Sequence, residues 1–494
     1  MKQTKLAEAR AYEKTHEAEV LSEERPMFHI TPAVGWLNDP NGFSIYQGEY
    51  HLFYQYHPYD IHWGPMYWGH VKSRDLIRWE RLPAALAPDA EYDESGVFSG
   101  SALELPDRRH LLMYTGVQGR INAPESRQTQ CLAIGDGINY RKYDRNPVIT
   151  AEDIPEPCFA KDFRDPKIWW DEEEACYFAV AGIQLQEESG AVVLFSSKDA
   201  FRWSYVSILD RCNHQYGRMW ECPDFFEIGE DHKAVLIVSA MKMQAQGLTF
   251  HNGNDVGCLI GSYDRKEHRF VRENVTAVDY GLDFYAPQSI RTPDGRRVMI
   301  GWMQSWESSH LCRRDGRWHG MLTLPRELFL KDGQLIQQPV RELLGYRGDP
   351  VIYKDVPLAP HTRLPKVSGR VLDLTVDVRP ESEGSLERFT IRLAENEAYN
   401  TSICYNVRKS TLCLDRTDSG FHYNIVHKRR APVRDQGGKI RFRIILDRFS
   451  VELFINDGEQ VMSACLYTPQ EADGISFRAE GTGWFDVEKY ELTL

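Results

Sequence analysis

Along the first two thirds of the chain, apolar residues come in short blocks separated by turn-forming residues. Tyr50–Tyr54, Leu111–Thr115, Cys176–Ala181, Ala191–Ser196, Ala234–Ser239 and Val298–Trp302 are each bounded by Gly, Pro, Asn or Asp. Runs of this length and composition predict β-strands, and helical periodicity is nearly absent from about 28 to 340. After about 345 the texture changes to strict alternation, as in Val371–Val378, Phe389–Leu393, Lys439–Leu446 and Ser450–Gly458. Alternation places one face of each strand in a core, and Asn456-Asp457-Gly458 is a hairpin signal. The tail therefore predicts a β-sandwich of about 145 residues. Ahead of the strands, a charged stretch reads as a short helix ended by Pro26.

A repeat organises the first part. Ser73-Arg74-Asp75-Leu76-Ile77-Arg78-Trp79 is echoed by Ser197-Lys198-Asp199-Ala200-Phe201-Arg202-Trp203, with weaker echoes at Gly135-Asp136-Gly137 and Ser262-Tyr263-Asp264. Asp75, Asp136, Asp199 and Asp264 stand at steps of 61, 63 and 65 residues. A near-constant step marks one supersecondary unit used repeatedly, and this one suits a four-stranded propeller blade. Five units of about 62 residues fill the stretch from 28 to about 338. The expectation is all-β: a short N-terminal helix over 1–27, a five-bladed β-propeller over 28–345 and a β-sandwich over 346–494.

Composition narrows the function. A net charge of −13 argues against nucleic acid or an anionic membrane as a general partner. The start of the chain has no apolar core of signal-peptide length, and no apolar run approaches a membrane span. The ten cysteines are scattered without a Cys-x-x-Cys pair, which fits reduced thiols in a cytoplasmic protein. No metal or cofactor motif is present, so none is expected. A small ligand is the expected partner.

The repeat also aligns the chemistry. Asp39 precedes its marker Asp75 by 36 residues, Ser99 precedes Asp136 by 37, Asp165 precedes Asp199 by 34 and Glu221 precedes Asp264 by 43. These positions are expected to be roughly equivalent, on the strands that line the propeller axis. Taken singly they are bland: Asp before Pro commonly starts a turn, Arg164 and Asp165 could be an ion pair, and Cys222 reads as a small core filler. Taken together, three carboxylates converge among Trp36, Trp63, Trp68, Trp220, Trp302 and Trp306, although much of this tryptophan belongs to the core. Aromatic faces with carboxylates suit a sugar. Two carboxylates are the minimum for cleaving a glycosidic bond, and a third beside an arginine can hold hydroxyls. Asp39, Glu221 and the Arg164–Asp165 pair fill these roles.

The same residues resemble glycoside hydrolase family 32, the β-fructofuranosidases. The resemblance rests on Trp36-Leu37-Asn38-Asp39-Pro40-Asn41-Gly42, Phe53-Tyr54-Gln55, Trp63 to His70, Phe98-Ser99-Gly100-Ser101, Arg164-Asp165-Pro166, Glu221-Cys222, Asp279-Tyr280-Gly281, Phe284 to Gln288 and Leu324-Pro325-Arg326-Glu327, in family order. It implies a five-bladed propeller and a retaining hydrolysis of sucrose or sucrose 6-phosphate. Asp39 would be the nucleophile, Glu221 the acid and then base, and Asp165 the transition-state stabiliser. Asn38, Gln55, Trp63, Phe98, Ser99, Arg164, Asp279 and Trp306 would bind substrate. Arg313, Arg314 and Lys242 are candidates for gripping a 6-phosphate. A fructan exo-hydrolase and a non-catalytic sugar-binding propeller with a lectin-like tail are the alternatives. An inverting propeller hydrolase of pentose polymers, which would space its carboxylates about 6.5–9.5 Å apart, is a third.

Overall fold

A computed structural model describes residues 4–187, 189–229, 231–311, 316–420 and 424–494. Five antiparallel sheets follow one another from Gly35 to Pro339, each a meander of four strands laid down in chain order, with the interruption noted below. Their first strands are Gly35–Tyr46, Gly96–Glu104, Cys158–Asp171, Met219–Ile228 and Tyr285–Arg291. Each of these inner strands packs on the next, and the fifth packs back on the first. The ring is also tied by backbone. Trp318–His319, from the middle of the fifth unit, pairs in parallel with Gly35 and Trp36 of the first. Gly320 permits that closure: at φ 88, a Cβ would lie 1.9 Å from the carbonyl oxygen of Leu37.

The repeated aspartates occupy the turn between the third and fourth strands of each of the first four sheets. Asp75 Oδ1 accepts from the amides of Ile77 and Arg78, and Asp136 Oδ1 from those of Ile138 and Asn139. Asp199 and Asp264 do the same with the amides two and three residues on. The repeat is thus an Asx turn, in which a carboxylate satisfies amides that the ladder leaves unpaired. In the fifth sheet this turn is the tight Asp332-Gly333 hairpin, with Asp332 at φ 51, too short for the Asx turn of the other four.

The tail forms two sheets. One is Val351–Pro357, Gly483–Glu491, Leu372–Pro380, Ile440–Asp447, Ser450–Ile455 and Gln460–Cys465 in spatial order, and the other is Lys428–Pro432, Thr411–Asp415, Thr401–Asn406, Leu386–Glu395 and Gly474–Gly481. Alternate residues such as Leu374, Val376, Ile391, Ile444 and Phe477 fill the layer between them. The leading helix is shorter than expected. It runs Lys5–His16, capped by Thr4 Oγ1, and two 3-10 turns carry the chain to Pro26. It stops early because the chain becomes extended at Val20, whose side chain packs into the protein.

The two parts meet through buried charge. Arg326 donates to Glu452, Asp279 and Ser463 Oγ, and His29 bridges Asp447 and Glu452 at 2.8 and 3.0 Å. Ile445, Phe454 and Val461 of the tail join the apolar cluster of the first, fourth and fifth sheets.

Candidate active site

Each inner strand is interrupted by a β-bulge in its first half. In three of them the register slips by one residue at a left-handed residue followed by proline: Asp165 (φ 64)–Pro166, Cys222 (φ 47)–Pro223 and Ala286 (φ 50)–Pro287. Proline suits a bulge because it has no amide to offer the ladder. A non-glycine residue at such φ is strained by about 1–3 kcal/mol, a cost characteristic of functional sites. The bulges correct the expected register. Asp165 is aligned with Cys222, whereas Glu221 is aligned with Arg164 and Tyr285. The longer spacing from Glu221 to Asp264 comes from the 244–252 connection.

That alignment assembles the chemistry. Arg164 Nε donates to Glu221 Oε1 at 3.0 Å, and Tyr285 Oη donates to Glu221 Oε2 at 2.7 Å. Both oxygens of Glu221 are thereby fixed by neighbours at equivalent positions. Arg164 is itself held by Gln128 Oε1 at 3.1 Å and Asp162 Oδ1 at 3.2 Å. Asp165 accepts from the amide of Cys222 at 3.0 Å, while its own amide donates to Thr115 Oγ1. The thiol of Cys222 lies 3.5 Å from Asp165 Oδ2 and 3.7 Å from Asp39 Oδ2, joining the two carboxylates. Burial pushes that thiol well up, so it stands as a neutral donor.

Asp39 lies within the first of the two bulges of the first inner strand. Ser99 Oγ donates to its Oδ2 at 2.6 Å and Asn38 Nδ2 to its Oδ1 at 3.0 Å; Trp36 Nε1 in turn orients Asn38 at 2.7 Å. Burial pushes the Asp39 carboxyl up to about 6; the Ser99 bond opposes that shift and the charge of Glu221 adds to it. Burial likewise raises Asp165, against the pull of Arg164.

Around this centre, Gln55 is buried and donates to the carbonyl of Val97 at 3.0 Å. Trp63, 38% exposed, meets Phe98 edge-on at 6.1 Å. Trp306 stacks on Trp36 at 6.3 Å. Trp36, Trp68, Trp220 and Trp302 are core residues. Asp279 is a correction. Its side chain is fully enclosed and its oxygens are taken by Arg326, Ser463 and the amide of Gly281, so it ties the tail to the fifth sheet and has no lone pair to give a sugar. Arg313 and Arg314 lie outside the described residues. Tyr285 and the linking role of Cys222 escaped the sequence reading. The recurring residue-before-proline pattern in the inner strands was the signal that could have found both.

A cavity of about 1350 Å³ opens at the opposite end of the same strands, among Lys167, Phe226, Arg291 and Arg297. It contains none of the three carboxylates. Among the described residues no group of three His, Cys, Asp or Glu side chains is placed to hold a metal ion, and no helix is long and apolar enough to cross a membrane.

The model of the glycosyl hydrolases family 32 N-terminal domain matches residues 29–339, and that of the family's C terminal matches residues 343–493. The chain belongs to glycosyl hydrolase family 32. It is a glycoside hydrolase. The sucrose-6-phosphate hydrolase of Escherichia coli is 35% identical over 92% of this chain and 91% of its own length. The levanase of Bacillus subtilis is also 35% identical, over 95% of this chain and 70% of that protein. Among solved structures, a mutant of the Bombyx mori family 32 β-fructofuranosidase in complex with sucrose aligns with a TM-score of 0.86 and 33% identity, covering 100% of this chain and 99% of that one. The fold is accordingly the propeller and β-sandwich of family 32.

Proposed function

We propose that this chain hydrolyses the β-fructofuranosidic bond of sucrose or sucrose 6-phosphate with retention at the fructosyl carbon. Asp39 attacks that carbon while Glu221 gives its proton to the departing glucosyl oxygen, and the glycosidic bond breaks. Water then attacks the same carbon, Glu221 takes its proton, and the ester to Asp39 breaks to release fructose. Asp165, beside Arg164, accepts fructose hydroxyl hydrogens that bond more strongly in the transition state. Asn38, Gln55, Trp63, Phe98, Ser99, Arg164 and Trp306 line the fructosyl and leaving-group subsites.

One observation carries the reading. Asp39 and Glu221 are held by different donors, a hydroxyl and an amide against a guanidinium and a phenol, yet each lies in the other's electric field. Relatives named sucrose-6-phosphate hydrolase and a neighbour bound to sucrose support the substrate. The proposal extends to the architecture: the five sheets are the blades of a five-bladed propeller over 28–345, followed by the sandwich over 346–494. It also extends to a cytoplasmic location, in keeping with nine free cysteines among the described residues.

The test is turnover of sucrose by the purified protein, with the first-formed fructose anomer followed by NMR. Asp39→Ala and Glu221→Ala should each lose several orders of magnitude in kcat. Glu221→Ala alone should recover rate on a fructoside whose leaving group needs no proton. Inverted product, or equal behaviour of the two variants on both substrates, would overturn the assignment. The levanase similarity makes levan the competing substrate, and a higher kcat/KM on levan than on sucrose would favour it.

A further inference from the structure

The cavity of about 1350 Å³ is walled by the far ends of all five inner strands, away from the three carboxylates. Arg291 ends the inner strand of the fifth sheet and is paired directly opposite Arg297 on the next strand. Like charges directly opposite in an antiparallel pair repel and weaken it. Both side chains line the cavity. The Arg297 guanidinium lies over the Phe226 ring of the fourth sheet, 4.4 Å from its centre. Lys167, from the third sheet, donates to the carbonyl of Ser289 at 2.7 Å and lines the same wall.

Other cations of the wall are neutralised where they stand. Arg265 is held by Asp171, Glu173 and Glu227, and Arg296 by Asp294, Glu327 and Glu342. Lys167, Arg291 and Arg297 differ. Among the described residues no carboxylate hydrogen-bonds to any of the three, and Lys167 has Asp224 Oδ1 only at 3.9 Å. The other oxygen of Asp224 is taken by the amide of Ser289. Burial lowers the Lys167 ammonium and brings the Arg297 guanidinium down to about 10. Asp224 opposes both shifts, and the neighbouring cation adds to each. One carboxylate thus faces three cations.

We propose that this far mouth is an anion site, which takes the phosphate group of a small metabolite between Arg291 and Arg297, in the field of Lys167 and apart from the three carboxylates. An anion placed between the two arginines turns a repelling cross-strand pair into two attractions. Stacking on Phe226 uses only the face of the Arg297 guanidinium, and its edge keeps the donors that grip phosphate oxygens in pairs. A phosphate monoester brings a charge of about −1.5 to −2 and three strong acceptor oxygens, which suits the excess of cations. On a chain of net charge −13, this local cationic cluster supplies the potential that a dianion needs. The cavity is larger than the ~300–1,000 Å³ of ordinary ligand pockets, so the phosphate can arrive on an organic body. Trp170 and Phe329, 41% and 39% exposed, offer ring surface to that body on the same wall.

The test follows the midpoint of thermal unfolding of the whole chain in inorganic phosphate, in adenosine monophosphate and in sodium chloride at matched ionic strength. Phosphate should raise the wild-type midpoint by at least about 2 °C over chloride. Arg291→Ala and Arg297→Gln should each lose most of that rise, and titration calorimetry should show phosphate binding weakened about tenfold or more. Arg291 is exposed, so its variant carries the comparison if Arg297→Gln folds poorly. A larger rise with the nucleotide marks a ligand whose body lies on the exposed rings, and an equal rise marks the phosphate group alone. A wild-type midpoint no higher in either phosphate compound than in chloride overturns the inference. So does a rise that survives in the arginine variants, since the anion then binds elsewhere.

Discussion

At the scale of single residues, the site depends on donors that tune a carboxylate. As the proposed nucleophile, Asp39 must be ionised to attack, and its carboxyl is pushed up to about 6, so kcat/KM should fall as pH drops through about 6. Ser99 Oγ stabilises the ionised form at 2.6 Å. Removing it leaves burial and the charge of Glu221 opposed only by the bonds from Asn38 and Cys222. Ser99→Ala should therefore move the acid limb to higher pH, by about 1–2 units if the bond contributes the ~1.5–3 kcal/mol usual for a charged acceptor. A pH profile of kcat/KM for the variant checks this, and an unmoved limb would detach the limb from Asp39. Cys222 shows how position changes a residue's meaning. A buried thiol is ordinarily filler, yet here it touches two carboxylates because a bulge turns it toward the axis.

At the scale of elements, two devices recur from sheet to sheet. The bulges at the axial ends aim side chains, and the Asx turns at the third-to-fourth strand connections fix the hairpins. The turns are the testable part. Asp199 is held down at about 2: burial would raise its carboxyl, but bonds from the amides of Arg202 and Phe201 and from the Arg202 side chain outweigh it. A lowered folded value means that its contribution is present above the unfolded value of 3.8 and fades as pH falls through about 2. The turn lies at the surface, so the effect is modest. Asp199→Ala should lower stability by about 0.5–2 kcal/mol at neutral pH, in the range of losing a helix cap of the same chemistry, with little change in kcat. A denaturant midpoint equal to the wild type would show that the marker does not stabilise its sheet.

At the scale of the whole molecule, the propeller and the sandwich are joined by a buried polar network. Burial by itself would push the His29 imidazole down, but the hydrogen bonds and charges of Asp447 and Glu452 outweigh it and hold it at about 9. Because the folded value is raised, this contribution is fully present below the ordinary imidazole value of 6.5 and is lost as pH climbs through about 9. The midpoint of thermal unfolding should decline across that window. His29→Ala should flatten the decline and cost about 3–5 kcal/mol, since it leaves two buried carboxylates short of a partner. A parallel pH profile in the variant would assign the dependence elsewhere. Ending the chain near 345 strips Arg326, Asp279 and His29 of their partners and uncovers the apolar surface under Ile445, Phe454 and Val461. Such a protein should aggregate or unfold, whereas residues 346–494 alone should not bind sucrose or fructans. Saturable binding by the isolated tail, measured by titration, would favour a lectin-like role for it.

What the sequence determined by itself is whatever local chemistry dictates. The alternating strands of the tail, the turn aspartates at near-constant steps and the carboxylates of the early strands all depend on neighbours a few residues away. The fifth unit was legible only by length, because its turn is the two-residue Asp332-Gly333 hairpin, too short for the Asx turn that marks the other four. The end of the leading helix was misjudged, since Val20 turns inward to satisfy packing that no local signal encodes. Only the tertiary structure decided which carboxylates serve the site. Asp279 stands in a motif as distinctive as that of Asp165, yet Arg326 and Ser463, 47 and 184 residues away, saturate it. Tyr285 and Arg164 became partners of Glu221 because bulges in separate strands put them at equivalent heights around one axis. Such pairings join residues 57 and 64 apart, and their geometry follows from ring closure, which no window of sequence contains.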